Sequence, residues 1–196
     1  MIAKVLPAAA ALMSLSACMG SSTGNSTGTN TGGIPWGQRE AMLIADVVEA
    51  TQPETTLPTS GSANMTGGVA LFSNQNVTEI ALGDATMNVD FGTATFTGAA
   101  GNFVVHDTDA RTGTTTTRAG AGALTYSGTV AGGAFGVEGD VDGSIYLPST
   151  GTIAVEGDLD AAVFRGPDGY IVNGGLSLED KADDDTKVTG SIIVGE

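Results

Sequence analysis

From Phe135 to Leu147 the chain changes character almost residue by residue. Phe135, Val137, Val141, Ile145 and Leu147 fall on one side of an extended chain, and Glu138, Asp140, Asp142 and Ser144 fall on the other. The next apolar run repeats the rhythm, with Ile153, Val155, Leu159, Ala161 and Val163 set against Glu156, Asp158 and Asp160. A helix would scatter these residues around its circumference, because its side chains recur every ~3.6 residues. An antiparallel strand, packed on one face and wet on the other, keeps them in order.

Further runs of the same kind occur at Val69–Phe72, Ala85–Phe91, Thr93–His106, Ala123–Val130, Tyr170–Leu178 and Val188–Val194, which predicts eight strands between residues 63 and 196. The two clearest are about a dozen residues long, against the usual five or six, and long tilted strands suit a closed barrel better than a flat sandwich. Glycines fall in phase with the apolar side chains, at Gly128, Gly139, Gly143, Gly157, Gly174 and Gly190, where a tightly curled wall is short of room. The expected fold is all-β, a soluble eight-stranded antiparallel barrel. A barrel set in a membrane would turn Glu138, Asp140, Asp142, Glu156, Asp158 and Asp160 towards lipid or an apolar lumen, and lipid-facing carboxylates at that density are not tolerated. With 22 acidic residues against 7 basic ones and a net charge of −15, nucleic acid is excluded as a partner by repulsion. A single cysteine excludes an internal disulfide.

The N-terminal third follows different rules. Lys4 precedes a mostly apolar stretch, Val5 to Leu15, about half the length needed to cross a ~30 Å hydrocarbon core. It reads as an export signal over residues 1–17. Leu15-Ser16-Ala17-Cys18 resembles the lipobox of bacterial lipoproteins, in which the cysteine is diacylated and becomes the new N-terminus. That resemblance implies lipidation of Cys18 and a membrane as partner through the anchor. Several acyl chains make such anchoring effectively permanent. Met19 in place of Asp resembles the sorting signal for the outer membrane, and the sequence leaves open whether the domain faces the surface or the periplasm. Residues 18–36 are then the lipidated cysteine and a tether. Gly20 to Gly33, made of Ser, Thr, Gly and Asn, has no sizeable apolar side chain to bury and should span ~20 Å as a flexible coil. Residues 37–62 hold one short helix, Gln38 to Ala50, and a spacer stiffened by Pro53 and Pro58. In the helix Ala41, Ile44, Ala45 and Val48 mark the apolar face, with Leu43 and Val47 beside it and Arg39, Asp46 and Glu49 opposite. It is expected to pack on the barrel or to plug one end.

Two segments resemble a known family. Val89-Asp90-Phe91-Gly92-Thr93-Ala94-Thr95-Phe96-Thr97-Gly98 is similar to a hairpin in the barrels of transferrin-binding protein B-like surface lipoproteins. Val163-Phe164-Arg165-Gly166-Pro167, followed by Gly174-Gly175-Leu176, is similar to a second hairpin of that family. Arg165 stands where the family carries an aromatic residue, the spacing from Pro167 to Gly174 is a residue longer, and the acid that precedes the glycine pair is missing. The resemblance implies one small barrel of this type. Its partners would be a host or environmental protein, such as an iron carrier, a haem carrier or a complement regulator, and an outer-membrane translocator. The family's ligand contacts lie in variable loops, so no ligand-binding residue is transferred.

No catalytic constellation is present: there is no Gly-x-Ser-x-Gly elbow, no phosphate loop and no His-Glu-x-x-His. The expected activity is binding, not catalysis. No cofactor is called for, and haem and Ca²⁺ are the two that the composition admits. His106 shares a strand face with Asn102 near Asp107 and Asp109, and one histidine without a Cys or His partner makes a poor metal site. Asp140, Asp142 and Gly143 lack the later ligands of a calcium loop. Glu179 to Asp185 is the stronger acidic run, expected in a hairpin loop, with Asp183, Asp184 and Asp185 as the calcium candidates and a solvated turn as the simpler reading. Tyr126, Tyr146, Tyr170 and Trp36 are the aromatic anchors on offer, although Tyr126 and Tyr170 are in phase with the core. Three functions compete: a lipoprotein that binds a protein or small ligand in iron or haem acquisition, an envelope-shielding lipoprotein without a ligand, and a lipocalin-like carrier. Phe91, Phe96, Phe103 and Phe135, expected to point inward, weigh against the carrier.

Overall fold

The computed structural model describes residues 36–196 apart from 51, 77, 110, 134 and 135; the side chains of residues 36–41, 48 and 184 also lie outside the description. Leu15, Ser16, Ala17, Cys18, the tether, Phe135 and the side chain of Trp36 are therefore outside the described residues.

Helix α1 (Trp36–Ala50) is followed by nine strands: β1 (Ser62–Ser73), β2 (Glu79–Asp90), β3 (Thr95–Thr108), β4 (Thr115–Ala119), β5 (Gly122–Val130), β6 (Val137–Leu147), β7 (Gly151–Arg165), β8 (Tyr170–Asp180) and β9 (Asp183–Gly195). All pairings are antiparallel; β3 pairs with both β4 and β5, and β1 closes the ring on β9, from Thr66 opposite Gly195 to Ser73 opposite Val188. Eight strands form this closed barrel. The ninth, β4, was not expected. The first half of β3 pairs with β5 and its second half, Val104–Thr108, pairs with β4. β4 and β5 thus act as one stave interrupted at Gly120, whose N–H donates to the Phe103 carbonyl at 2.7 Å. Every residue of β4 is exposed, so the β3–β4 ribbon stands beyond the barrel rim. β1 and β2 also begin earlier than the alternation predicts.

Burial follows the expected alternation. Side chains from every barrel strand meet in one core, with Phe96, Met65, Leu71, Met87, Leu124 and Ile145 among its largest buried members. The in-phase glycines have a definite use. At Gly139 a side chain would fall 2.6 Å from the tip of the Phe96 ring, and at Gly98 it would overlap the Tyr126 ring, so two core aromatics occupy the space that side chains there would need. The Tyr126 hydroxyl donates across the wall to the carbonyls of Thr86 (2.7 Å) and Ala99 (3.1 Å). Burial pushes its phenol well above the ordinary tyrosine range.

The spacer covers one end of the barrel. Glu54 N–H donates to the Val163 carbonyl, Gly133 N–H to the Glu54 carbonyl and Phe91 N–H to the Gly61 carbonyl, at 2.8, 2.8 and 2.9 Å. Leu57 and Tyr170 pack against the core there, with the Tyr170 ring 5.1 Å from that of Phe91 and the Arg165 guanidinium 4.4 Å above it. The helix does not plug this end. Ala162, Ile171 and Ile193 point outward from β7, β8 and β9 and are still buried, and α1 lies along the outside of these strands and β1. Leu43 Cδ2 sits 2.6 Å from where a side chain at Gly195 would be, and Asp46 Cβ lies 3.7 Å from the corresponding position at Gly166. The helix face matches the expected one at Leu43, Ile44 and Val47 and departs from it at Ala45 and Asp46. Leu43, Asp46 and Val47 are half-buried, whereas Ala45 is exposed. Asp46 lies over the small residue Gly166, which tolerates a carboxylate at the margin of the contact.

Candidate binding surface

A filled core leaves the outer wall and the rims as the surfaces able to meet a ligand. Among the described residues no helix is long and apolar enough to cross a membrane. The outer wall is divided by chemistry. On β1, β2, β3 and β5 it is built mainly from hydroxyls and amides. A shallow groove of about 450 Å³ runs past Asn64, Thr66, Thr86, Asn88 and Thr97, with Asn88 Nδ2 donating to Asn64 Oδ1 at 2.7 Å.

The opposite sector is acidic. Strand register sets Glu138 opposite Asp160, Asp140 opposite Asp158 and Asp142 opposite Glu156, and all six side chains are exposed. Facing side chains of this kind have Cβ atoms about 4.5–5.5 Å apart, and like charges in facing positions destabilise a sheet. Successive rungs of this ladder are two residues apart, or roughly 7 Å along the strand. Thr125, Ser127 and Thr129 flank it on β5, and Glu156 continues onto β8 through its neighbour Glu179. Such a wall cannot lie in hydrocarbon.

The chain places one of its own cations on the ladder. Lys181 Nζ donates to Asp142 Oδ2 and lies 3.7 Å from Glu156 Oε2, bridging the two acids of one rung. The hydrogen bond to Asp142 raises the Lys181 ammonium above its ordinary range, aided by the negative charge of both acids. Lys187 is paired with Glu179. The other two rungs have no ion-pair partner among the described residues.

A second polar feature lies at the rim opposite the spacer. Glu79 points inward and is only 2% exposed; its Oε2 accepts from the Ser149 hydroxyl at 2.5 Å and from the Ser149 N–H at 3.3 Å. This ties the start of β2 to the β6–β7 turn. Asp107, across from Glu79 on β3, accepts from the Thr78 hydroxyl at 3.0 Å. Neither the rim nor the ladder gathers three metal-ligating side chains, and no such group occurs among the described residues.

The individually expected sites fall apart in space. His106 lies on β3 with Nδ1 3.1 Å from the Thr117 hydroxyl of β4. The Glu179–Asp185 run is not a loop: the turn is only Lys181 and Ala182, and Asp183 to Asp185 already belong to β9. Asp183 is used locally, accepting from the Thr186 hydroxyl and the Asp185 N–H, and the side chain of Asp184 lies outside the described residues. Asp140 and Asp142 do belong together, as members of adjacent rungs and not as ligands of one ion. Tyr126 is core, and Tyr170 is part of the spacer-covered end. Sequence reasoning saw each acidic strand but missed their rung-by-rung opposition.

Comparison with protein families, with characterised proteins and with solved structures finds no match for this chain. The segments Val89–Gly98 and Val163–Leu176 form the β2–β3 and β7–β8 hairpins.

Proposed function

We propose that this protein is an envelope lipoprotein, anchored in the outer membrane through Cys18, whose barrel binds a protein partner by its outer surface and catalyses no reaction. The observation that carries the reading is the filled interior. Phe96, Tyr126, Met65 and Met87 occupy the space a carrier would leave for its cargo, so recognition falls to the wall and rims. The same packing weighs against the lipocalin-like alternative. The concentration of facing acids on β6 and β7 favours a binding surface over a featureless shield, which would gain nothing from placing like charges face to face. Kinship with the transferrin-binding protein B-like lipoproteins, and with it a role in iron or haem acquisition and passage through a translocator, is part of the proposal. It is supported by the hairpin motifs.

The anchor has a direct test. Cys18→Ala expressed in a Gram-negative host moves the chain from the membrane fraction to the soluble fraction, and metabolic labelling with palmitate is lost; a variant that stays labelled in the membrane refutes it. Protease treatment of intact cells then decides which side the barrel faces.

A further inference from the structure

We propose that the free edge of β4 pairs with the same edge of a second copy of this chain, across a two-fold axis at Thr117. The inference goes beyond the lipoprotein reading and holds with or without the anchor. β4 is bonded to a strand on one side only, by β3. Which of its backbone groups are used there follows from the bonds at the two ends of the ribbon. Gly120 N–H donates to the Phe103 carbonyl and Asp109 N–H to the Thr114 carbonyl, at 2.7 and 3.0 Å. Antiparallel bonding alternates, so the even residues of β4 face β3, and Thr115, Thr117 and Ala119 turn their N–H and C=O groups to the open side. The same line continues into β5, where the Ala121 carbonyl accepts from the Tyr146 N–H at 2.8 Å. In that register Pro148 would come next, opposite Ala119, and proline has no N–H to donate. β6 ends at Leu147 and turns into β7, which leaves the outer edge of β4 without a neighbouring strand among the described residues.

Such an edge is a template for another strand, and β4 carries neither of the lysine and proline residues that commonly blunt one. Its sequence is complementary to itself. Antiparallel pairing about Thr117 sets Thr117 against Thr117 and Thr115 against Ala119, so every outward residue meets an outward residue. Each facing pair exchanges two bonds, which makes about six over the three pairs. The even residues bring opposite charges together. Thr116 meets Arg118 of the second copy, and Asp107 lies across from Thr116 on β3, on the same face. Asp107 and that arginine are then two strand spacings apart, roughly 10 Å, a gap their side chains close over the short threonine. Arg118 has no ion-pair partner in its own chain among the described residues. Repulsion between copies is also least at this point: from Val104 to Ala119, Asp107 and Asp109 balance Arg111 and Arg118, whereas the whole chain is at −15. A strand of unrelated sequence would find the same backbone groups but not the matched threonine and arginine positions.

Sedimentation equilibrium of the full chain in a density-matched neutral detergent, at about 0.15 M salt to screen the net charge, reads the association. The mass is expected to rise with concentration from one chain to two. Thr117→Pro removes a donor that the single chain does not use, and is expected to weaken the dimer at least about tenfold with β-sheet circular dichroism unchanged. Arg118→Glu leaves the backbone intact and is expected to weaken it by about the same factor. Cysteine substitution fixes the register. Facing Cα atoms of a bonded pair lie about 5.5 Å apart, within disulfide reach, so Thr117→Cys is expected to give a linked dimer under mild oxidation. In Thr116→Cys the two thiols are offset by two residues, with Cα atoms roughly 8 Å apart, and no link is expected. The parent, with Cys18 alone, supplies the baseline. If proline disturbs the ribbon, Arg118→Glu and the two cysteine variants decide without it. A parent that stays monomeric, folded variants that associate as the parent does, or equal linkage at 116 and 117 would each overturn the proposal.

Discussion

Tyr126 concentrates two opposing demands in one side chain. Its ring is core, and its hydroxyl must be satisfied where water does not reach, which the Thr86 and Ala99 carbonyls do from two adjacent strands. Because burial raises the phenol's pKa in the folded protein, the folded form holds its proton more firmly than the unfolded chain. The stability this contributes is complete below the unfolded value near 10 and is lost as pH rises through the folded value. The barrel is therefore expected to unfold on alkaline titration, with part of the tyrosinate absorbance appearing only together with the loss of β-sheet circular dichroism. Tyr126→Phe removes that coupled component and costs about 0.5–1.5 kcal/mol by removing the hydroxyl's hydrogen bond. A tyrosinate signal that rises fully before unfolding, or that is unchanged in the variant, contradicts this.

At the scale of elements, turns and registers decide what alternation leaves open. In the β2–β3 turn Asp90 Oδ1 accepts from the N–H groups of Gly92 and Thr93 at 2.8 and 3.1 Å, and the chain returns through Ala94 at φ +54°. A left-handed L-residue costs about 1–2 kcal/mol, part of which glycine gives back through its freer unfolded chain. Ala94→Gly is expected to stabilise the barrel by about 0.5–1 kcal/mol, read as a higher denaturant midpoint at unchanged slope. β6, β7 and β8 were legible from sequence because their two faces differ in polarity. β4 was not: Thr115-Thr116-Thr117-Arg118-Ala119 has no apolar side to show, since the ribbon projects past the core. The first half of β1 was hidden in the same way, with Gly67 and Gly68 interrupting the rhythm of Ala63 and Met65. The helix face is legible at Leu43, Ile44 and Val47 but not at Asp46, whose sequence character points to water while Gly166 makes room for it. The ladder could not be read at all. Sliding β7 against β6 by two residues leaves every carboxylate outside and every valine inside, so the pattern fixes the face and the turn and core fix the register.

For the molecule as a whole, charge is concentrated, not merely abundant. Neutralising one rung should relieve repulsion that the free protein carries. Asp140→Asn/Asp158→Asn is expected to raise the stability by about 0.2–1 kcal/mol at low salt, and the gain should shrink as added salt screens the exposed acids of the parent. A thermal midpoint that falls, or a gain insensitive to salt, would mean that the facing acids are not in conflict. The acids of β2 differ from the ladder in this respect, since Asp84 faces Gly68 and Gly101 and Asp90 faces Ser62 and Thr95, so no comparable substitution should stabilise the wall there.

The pairing of β1 with β9 governs when the wall can become continuous. As the chain is synthesised, the hairpins from β1 to β8 can assemble in turn, yet the sheet keeps two raw edges until β9 arrives. Up to that moment the wall is an open ribbon; afterwards it is a hoop from which only the β4 edge projects. Completion of the hoop thus waits on β9, and the order of the strands postpones the rigid state until that stave is in place.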